Sequence, residues 1–344
     1  MSRFTLLVLL LVSLFGCAKR KEPQKVKLGY LLNVTHAVPI VAIEEGLFDE
    51  YQTEHFVSGG YLLNSLMSKN IDIAYIGPGP YINAINKGLE LELISLTTIG
   101  ANALVLADKK AKDIEIKKIA IPQFGNTQDL LAHYLVDKVQ AHKSHILKGV
   151  LDIAGDLGYT HKVSFSKDLE FLAIHPSELE LVLHKKEVDA ALVAEPWGTL
   201  LAQKGYKNLS SDVQKKSIVT SLENEYDTNL KKELSFINTF PATLLVMRRD
   251  FYDKYPRKVD EFIAKQNYVL DIISLDTESA IESIQQHFMK IVGKSFSTET
   301  VISSFENMQF SSELDFEKLN ILEDVALAQD YIKEKKLLTA ANIR

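Results

Sequence analysis

Three kinds of position in this chain have residue types suited to chemistry. Cys17 is the only cysteine among 344 residues, so there is no disulfide, thiolate metal cluster or second thiol for catalysis. His133, His142 and His145 fall in one stretch, but no acidic-histidine cluster accompanies them. A solvated helix face accounts for them better than a metal site. The third kind is a set of turns, Ser58-Gly59-Gly60, Gly77-Pro78-Gly79-Pro80 and Pro122-Gln123-Phe124-Gly125. Each joins an expected strand end to an expected helix start, which is where open α/β sheets bind ligands. Catalytic signatures are missing: there is no G-x-S-x-G, H-E-x-x-H or P-loop, and the Gly77 turn lacks the third glycine of a dinucleotide fingerprint. The residues therefore point to binding without turnover, with no cofactor and no metal.

Positioning these turns requires alternating strands and helices. Lys27–Leu32 reads as a first strand, followed by a helix from His36 to Glu45 with Thr35 as cap, Pro39 in its first turn and Gly46 closing it. Strand patterns recur at Glu54–Val57, Ile71–Ile76, Leu91–Leu96, Ala103–Leu106, Lys117–Ile121, Asp189–Val193 and Thr243–Met247, the last returning the chain to the first sheet. Helical spacing dominates after Tyr255-Pro256. This is an α/β pattern with mainly parallel strands, and the chain is too long for one simple core, which suits two lobes.

The N-terminus is a different matter. Arg3, an apolar run from Phe4 to Val12 and then Leu14–Phe15 form a signal-peptide pattern, far short of the ~20 apolar residues of a spanning helix. Leu14-Phe15-Gly16-Cys17 resembles the lipobox of bacterial lipoproteins, which implies that Cys17 carries the lipid. Ala18–Lys27 holds five basic residues and reads as a solvated tether beside anionic headgroups. The formal charge of −6 argues against nucleic acid as partner.

Four segments occur in family order: Leu28–His36 with Glu44–Phe48, Pro122–Asp129, Asp189–Gly198, and Phe240–Val246 with Asp250-Phe251 and Tyr255-Pro256. Together they resemble the nitrate/sulfonate/taurine branch of ABC-importer binding proteins. That resemblance implies a two-lobed type 2 periplasmic binding protein fold, each lobe a mainly parallel sheet flanked by helices, with the ligand between lobes. The expected division is 1–16 signal peptide, 17–26 lipidated Cys17 and tether, 27–108 plus 236–344 lobe one, and 109–235 lobe two. The stretches 142–166 and 208–236 are longer than the family leads one to expect.

The resemblance also implies the ligand residues. From the first lobe these are Asn33, Thr35, His36, Ser58, Gly59, Gly60, Gly77 and Gly79; from the second, Gly125, Asn126, Thr127, Gln128, Glu195 and Trp197. Glycines admit a close approach of backbone to ligand, and helix starts favour anions. His36, at a helix start, is expected to be neutral. Ser58 and Thr127 have an alternative as plain caps. Glu195 either faces a ligand cation or satisfies donors of its own turn, and Trp197 either packs or stacks on ligand. No arginine occurs between Arg20 and Arg248, so a guanidinium clamp is unavailable in these turns. This suits small, weakly basic oxyanions or a neutral or zwitterionic ligand.

The implied function is an extracytoplasmic, membrane-anchored monomer that delivers a small molecule to ABC permease subunits with a cytoplasmic ATPase. Nitrate, sulfonates or taurine lead, and a thiamine-type pyrimidine or other heterocycle is the alternative. Pyrimidine-synthase-like enzymes of the same fold use a cysteine-rich motif, and this chain has no cysteine after Cys17.

Overall fold

The computed structural model describes residues 25–108, 113–146, 162–210 and 228–337. Cys17, the signal segment and most of the tether lie outside them, as do 147–161 and 211–227. Among the described residues no helix is long and apolar enough to cross a membrane.

Eleven strands among the described residues build two sheets. The first six are β1 (Lys27–Leu31), β2 (Gln52–Phe56), β3 (Ile73–Ile76), β4 (Leu91–Gly100), β5 (Asn102–Leu106) and β6 (Asp113–Ile121). They are followed by β7 (Lys162–Ala173), β8 (Ala190–Ala194), β9 (Lys207–Asn208), β10 (Pro241–Arg248) and β11 (Met308–Phe310). One sheet runs β11-β4-β10-β3-β1-β2 and the other β7-β6-β8-β5-β9. Strands β3 and β10 are buried along almost their whole length. Their apolar, β-branched sequences suit central positions covered on both faces.

Each sheet is mixed, with most of its strands pointing the same way. β1 pairs parallel with β2 and β3, and β6 parallel with β7 and β8. Strands that begin or follow a crossing run antiparallel: β10 against β3 and β4, and β5 against β8 and β9. The chain changes sheets at Gly100–Asn102 rather than near residue 108, because Gly100 and Ala101 both take positive φ and turn it sharply. Gly100 suits this site: a Cβ there would meet the carbonyl oxygens of Asn238 and Asn307 at 2.9 Å. Strand β6 begins at Asp113.

Three segments meet at this junction. Gly100 N–H donates to Phe240 O (2.8 Å), Ala101 N–H to Asn307 O (2.8 Å) and Asn102 N–H to Asn238 Oδ1 (2.9 Å). One apolar cluster continues across both sheets, joining Ile76, Leu96 and Leu244 to Leu104, Ile119 and Leu192 by way of Tyr81, Leu130, Tyr134 and Phe240. The helix Phe316–Ala328 packs on both Pro78–Asn86 of the first-sheet side and Thr127–Ile146 of the second. Separate clusters back the outer faces. Helices Ala37–Glu44, Pro256–Leu275 and Thr277–Val292 cover the first sheet, and Leu179, Leu183, Trp197 and Leu201 cover the second.

Candidate ligand site between the two sheets

The glycine turns come together where the sheets face each other, but each does something different. Gly77 is the N-cap of helix Pro78–Asn86, and Pro78 and Pro80 carry no N–H. Tyr81 N–H is used on Gly77 O. The one remaining early donor, Gly79 N–H, points to Thr127 Oγ1 at 3.3 Å. A Cβ on Gly79 would lie 2.6 to 2.8 Å from backbone atoms of Gly125, Asn126 and Thr127. Gly77, Gly79 and Thr127 therefore form a direct contact between the two sides, and this helix start has no spare donors for an anion.

The facing turn is built by its own side chains. Asn126 caps helix Thr127–Ile146 by accepting from Asp129 N–H (2.8 Å), while Asp129 Oδ2 reaches back to Gly125 N–H (2.7 Å). Gly125 takes φ +72°, a left-handed conformation that glycine adopts without cost. Asn83 Nδ2 donates across to Gly125 O at 3.2 Å. Gln128 turns away, its Nε2 donating to Asn102 Oδ1 at the sheet junction (3.2 Å).

Beside this contact is a cavity of about 270 Å³, lined by Gly60, Leu63, Pro80, Asn83, Lys87, Gln123, Phe124, Gly125, Asn126 and Tyr331. Of the sequence-derived ligand residues it includes Gly60, Gly125 and Asn126. Ser58 occupies the N-cap of helix Gly59–Met67 but makes no side-chain cap bond. Leu62 N–H is the first of that helix to bond Ser58 O, so the N–H groups of Gly59, Gly60 and Tyr61 precede the helical ladder. Gly59 packs on Pro80, where a Cβ would come within 2.5 Å. Gly60 faces Gln123 Nε2, 3.6 Å from its would-be Cβ. This is an open helix start at a cavity, with partial positive charge and Lys87 at the rim.

The remaining candidates lie elsewhere. Asn33, not Thr35, caps the first helical turn: its Oδ1 accepts from Thr35 N–H at 3.0 Å because Asn33 is extended. Thr35 O accepts from Thr98 Oγ1 (2.7 Å) and Thr243 Oγ1 (3.0 Å). His36 is buried, its Nδ1 accepting from Leu31 N–H at 3.2 Å. Burial lowers its pKa to about 3, so the ring is neutral, and burial is the cause. Glu195 is buried too, its Oε2 accepting from Thr199 N–H (2.9 Å) and Oε1 from Asn307 Nδ2 (2.7 Å). Burial raises its carboxyl to about 7 despite these donors. It fastens the Trp197–Gln203 helix to the sheet junction. Trp197 packs against the outer cluster of the second sheet.

Leu63, Asn83, Lys87 and Tyr331 also line the cavity without any signal in residue spacing, because they come from helix bodies and the C-terminal segment rather than from strand ends. No group of three or more histidine, cysteine or acidic residues among the described residues is placed to hold a metal.

Two mixed sheets flanked by helices, with a cavity between them, define a periplasmic-binding-protein fold. The model of the NMT1-like family matches residues 19–280, and the chain belongs to that family. Solved structures agree on the fold. The periplasmic aliphatic sulphonate binding protein of Escherichia coli is similar at TM-score 0.63 and 15% identity, covering 91% of this chain and 95% of that one. The alkanesulfonate-binding protein of Xanthomonas axonopodis pv. citri, bound to MOPS, gives 0.63 and 17%, with 93% and 98% covered. The periplasmic nitrate-binding protein of Synechocystis PCC 6803 gives 0.61 and 14%, with 93% and 86% covered. No curated protein matches the chain by sequence.

Proposed function

We propose that this chain is an extracytoplasmic solute-binding lipoprotein that captures a small sulfonate-type oxyanion and delivers it to an ABC permease driven by a cytoplasmic ATPase. The observation that carries the reading is the cavity at the open start of helix Gly59–Met67, faced by the Gln123–Asn126 turn. Backbone N–H groups, the Gln123 amide and Lys87 supply donors and positive charge without an arginine. Similarity to sulfonate- and nitrate-binding proteins supports the same class. The ligand sits between two lobes, about 27–100 with 239–337 and about 102–237, and closure follows from contacts to both. Cys17 carries the anchor, the protein works as a monomer, and it acts by binding, not catalysis.

A thiamine-type pyrimidine or similar heterocycle is the second reading. Phe124, 52% exposed at the cavity wall, offers an aromatic face beside the amides of Asn83, Gln123 and Asn126. Thermal-shift titration of the purified protein with alkanesulfonates, taurine, nitrate and aminopyrimidines separates the two. Stabilisation by sulfonates supports the proposal, and stabilisation by aminopyrimidines alone replaces it.

A further inference from the structure

Glu195 stands where the two sheets are joined, and its carboxyl is shared between them. β8 pairs parallel with β6, so the turn after β8 leaves the second sheet from the same edge as the Gln123–Asn126 turn, the edge that faces the first sheet. Glu195 N–H donates to Ala101 O in the chain crossing (2.9 Å). Its Oε2 accepts from Thr199 N–H on its own side, and its Oε1 from Asn307 Nδ2 on the other (2.7 Å). Asn307 belongs to the first side, because it leads into β11, which pairs with β4. A second bond runs the same way: Thr300 Oγ1, in helix Thr298–Phe305, donates to Gln203 Oε1 in helix Trp197–Gln203 (3.0 Å). Of these two ties between the lobes, only the one at Glu195 contains a group that can change its charge.

Glu195 has 1% of its surface exposed, so its charge is not offset by bulk water. Nor does a cation face it. Among the described residues the groups that act on its ionisation are Thr199 and Asn307, neither of them charged, and Ala101 contributes backbone alone. Burial therefore outweighs the two donors and lifts the carboxyl to about 7. Parting the lobes withdraws Asn307 and lets water reach Oε1, which returns the group toward the ordinary carboxylate range. The closed arrangement thus holds a proton that the parted one releases.

We propose that Glu195 is a proton-linked latch, whose carboxyl takes up a proton as the lobes close, so that solute is held more tightly in acid and released more readily as the surroundings turn alkaline. The latch goes beyond the solute-binding reading, and only its effect on affinity rests on that reading. Linkage fixes the sign: the closed state has the higher pKa, so its advantage is full below the ordinary carboxylate range and is lost as pH rises through about 7. Because binding requires closure, affinity should fall about tenfold between about pH 5.5 and about pH 8. His36 stays neutral throughout, its pKa being lowered to about 3, and adds nothing to the slope.

The experiment titrates an alkanesulfonate, which does not itself ionise in this range, into the protein by calorimetry in buffers of different ionisation heat, so that protons taken up on binding are counted. Wild type should take up about one proton at about pH 6 and almost none at about pH 8.5. In Glu195→Gln, of the same shape and always neutral, uptake and pH dependence should vanish, with affinity within about twofold of the wild-type acid value. Small-angle scattering of the ligand-free chain reads the lobes themselves: the radius of gyration should increase with pH over this range in wild type and stay constant in the variant. Wild-type binding without proton uptake, or a pH dependence that survives in folded Glu195→Gln, overturns the latch and leaves the binding function standing. Failure of the sulfonate to bind at any pH overturns the sulfonate reading, and scattering then decides, since a wild-type radius that ignores pH overturns the latch as well.

Discussion

Replacing Gly79 by alanine tests whether the contact between the Pro78 and Thr127 helix starts governs closure. The new Cβ would sit 2.6 Å from Asn126 C and 2.8 Å from Gly125 O and Thr127 N, whereas ordinary contact begins at 3.4 Å. The two sides must then part by ~0.6–0.8 Å, because the atoms in the way are backbone of a capped 20-residue helix. Within its own helix alanine is the better residue by ~0.5–1 kcal/mol. The substitution therefore penalises the contact between the lobes and spares the lobe that carries it. Overpacking of this kind costs about 1–3 kcal/mol, so ligand affinity should fall about 5- to 150-fold. Calorimetry reads the affinity and small-angle scattering the radius of gyration, which should increase for the variant. Affinity within twofold of wild type, with unchanged scattering, would refute the reasoning.

Glu195 gives a pH prediction. Burial lifts its carboxyl from 4.5 to about 7, so between these values the native state keeps a proton that the unfolded chain has released. Stability accordingly falls as pH rises through this window, by about 3 kcal/mol from this group alone. Glu195→Gln should flatten that slope in urea denaturation at pH 5 and 8; an unchanged slope counts against it. Tyr30→Phe should cost about 1–3 kcal/mol, because it removes the 2.8 Å partner of buried His287 Nε2 while His287 Nδ1 stays on Glu44; thermal unfolding measures this. Cys17→Ser should move the protein from the membrane to the soluble fraction, and persistence in the membrane at high salt would contradict the anchor.

Most strands were legible because turn residues punctuate them: β3 before Gly77-Pro78, β6 before Pro122, β8 before Glu195-Pro196 and β10 after Phe240. Strand partners were less so. Nothing in Asn102–Leu106 tells that it joins the second sheet, since that depends on the backbone reversal at Gly100–Ala101. Strand β7 is fixed by its parallel pairing with β6 along almost its whole length, which no local pattern announces. At the site, the turns were found from glycine and helix-start patterns, yet their roles divided by chemistry that spacing cannot carry. Prolines leave the Pro78 helix start only Gly79 N–H, which Thr127 Oγ1 takes, burial removes His36 and Glu195 from the cavity, and Tyr331 arrives through the path of a helix far along the chain.

Solute binding in the cavity at the Gly59–Met67 helix start, as proposed, can be tested by blocking that cavity. Calorimetric titration of a sulfonate ligand into wild type and Gly60→Phe tests it most directly, since a side chain at Gly60 projects toward Gln123 in the cavity wall. Saturable one-to-one binding to wild type is expected, with at least a hundredfold loss in a folded Gly60→Phe. Undiminished binding to that variant would place the ligand outside this cavity.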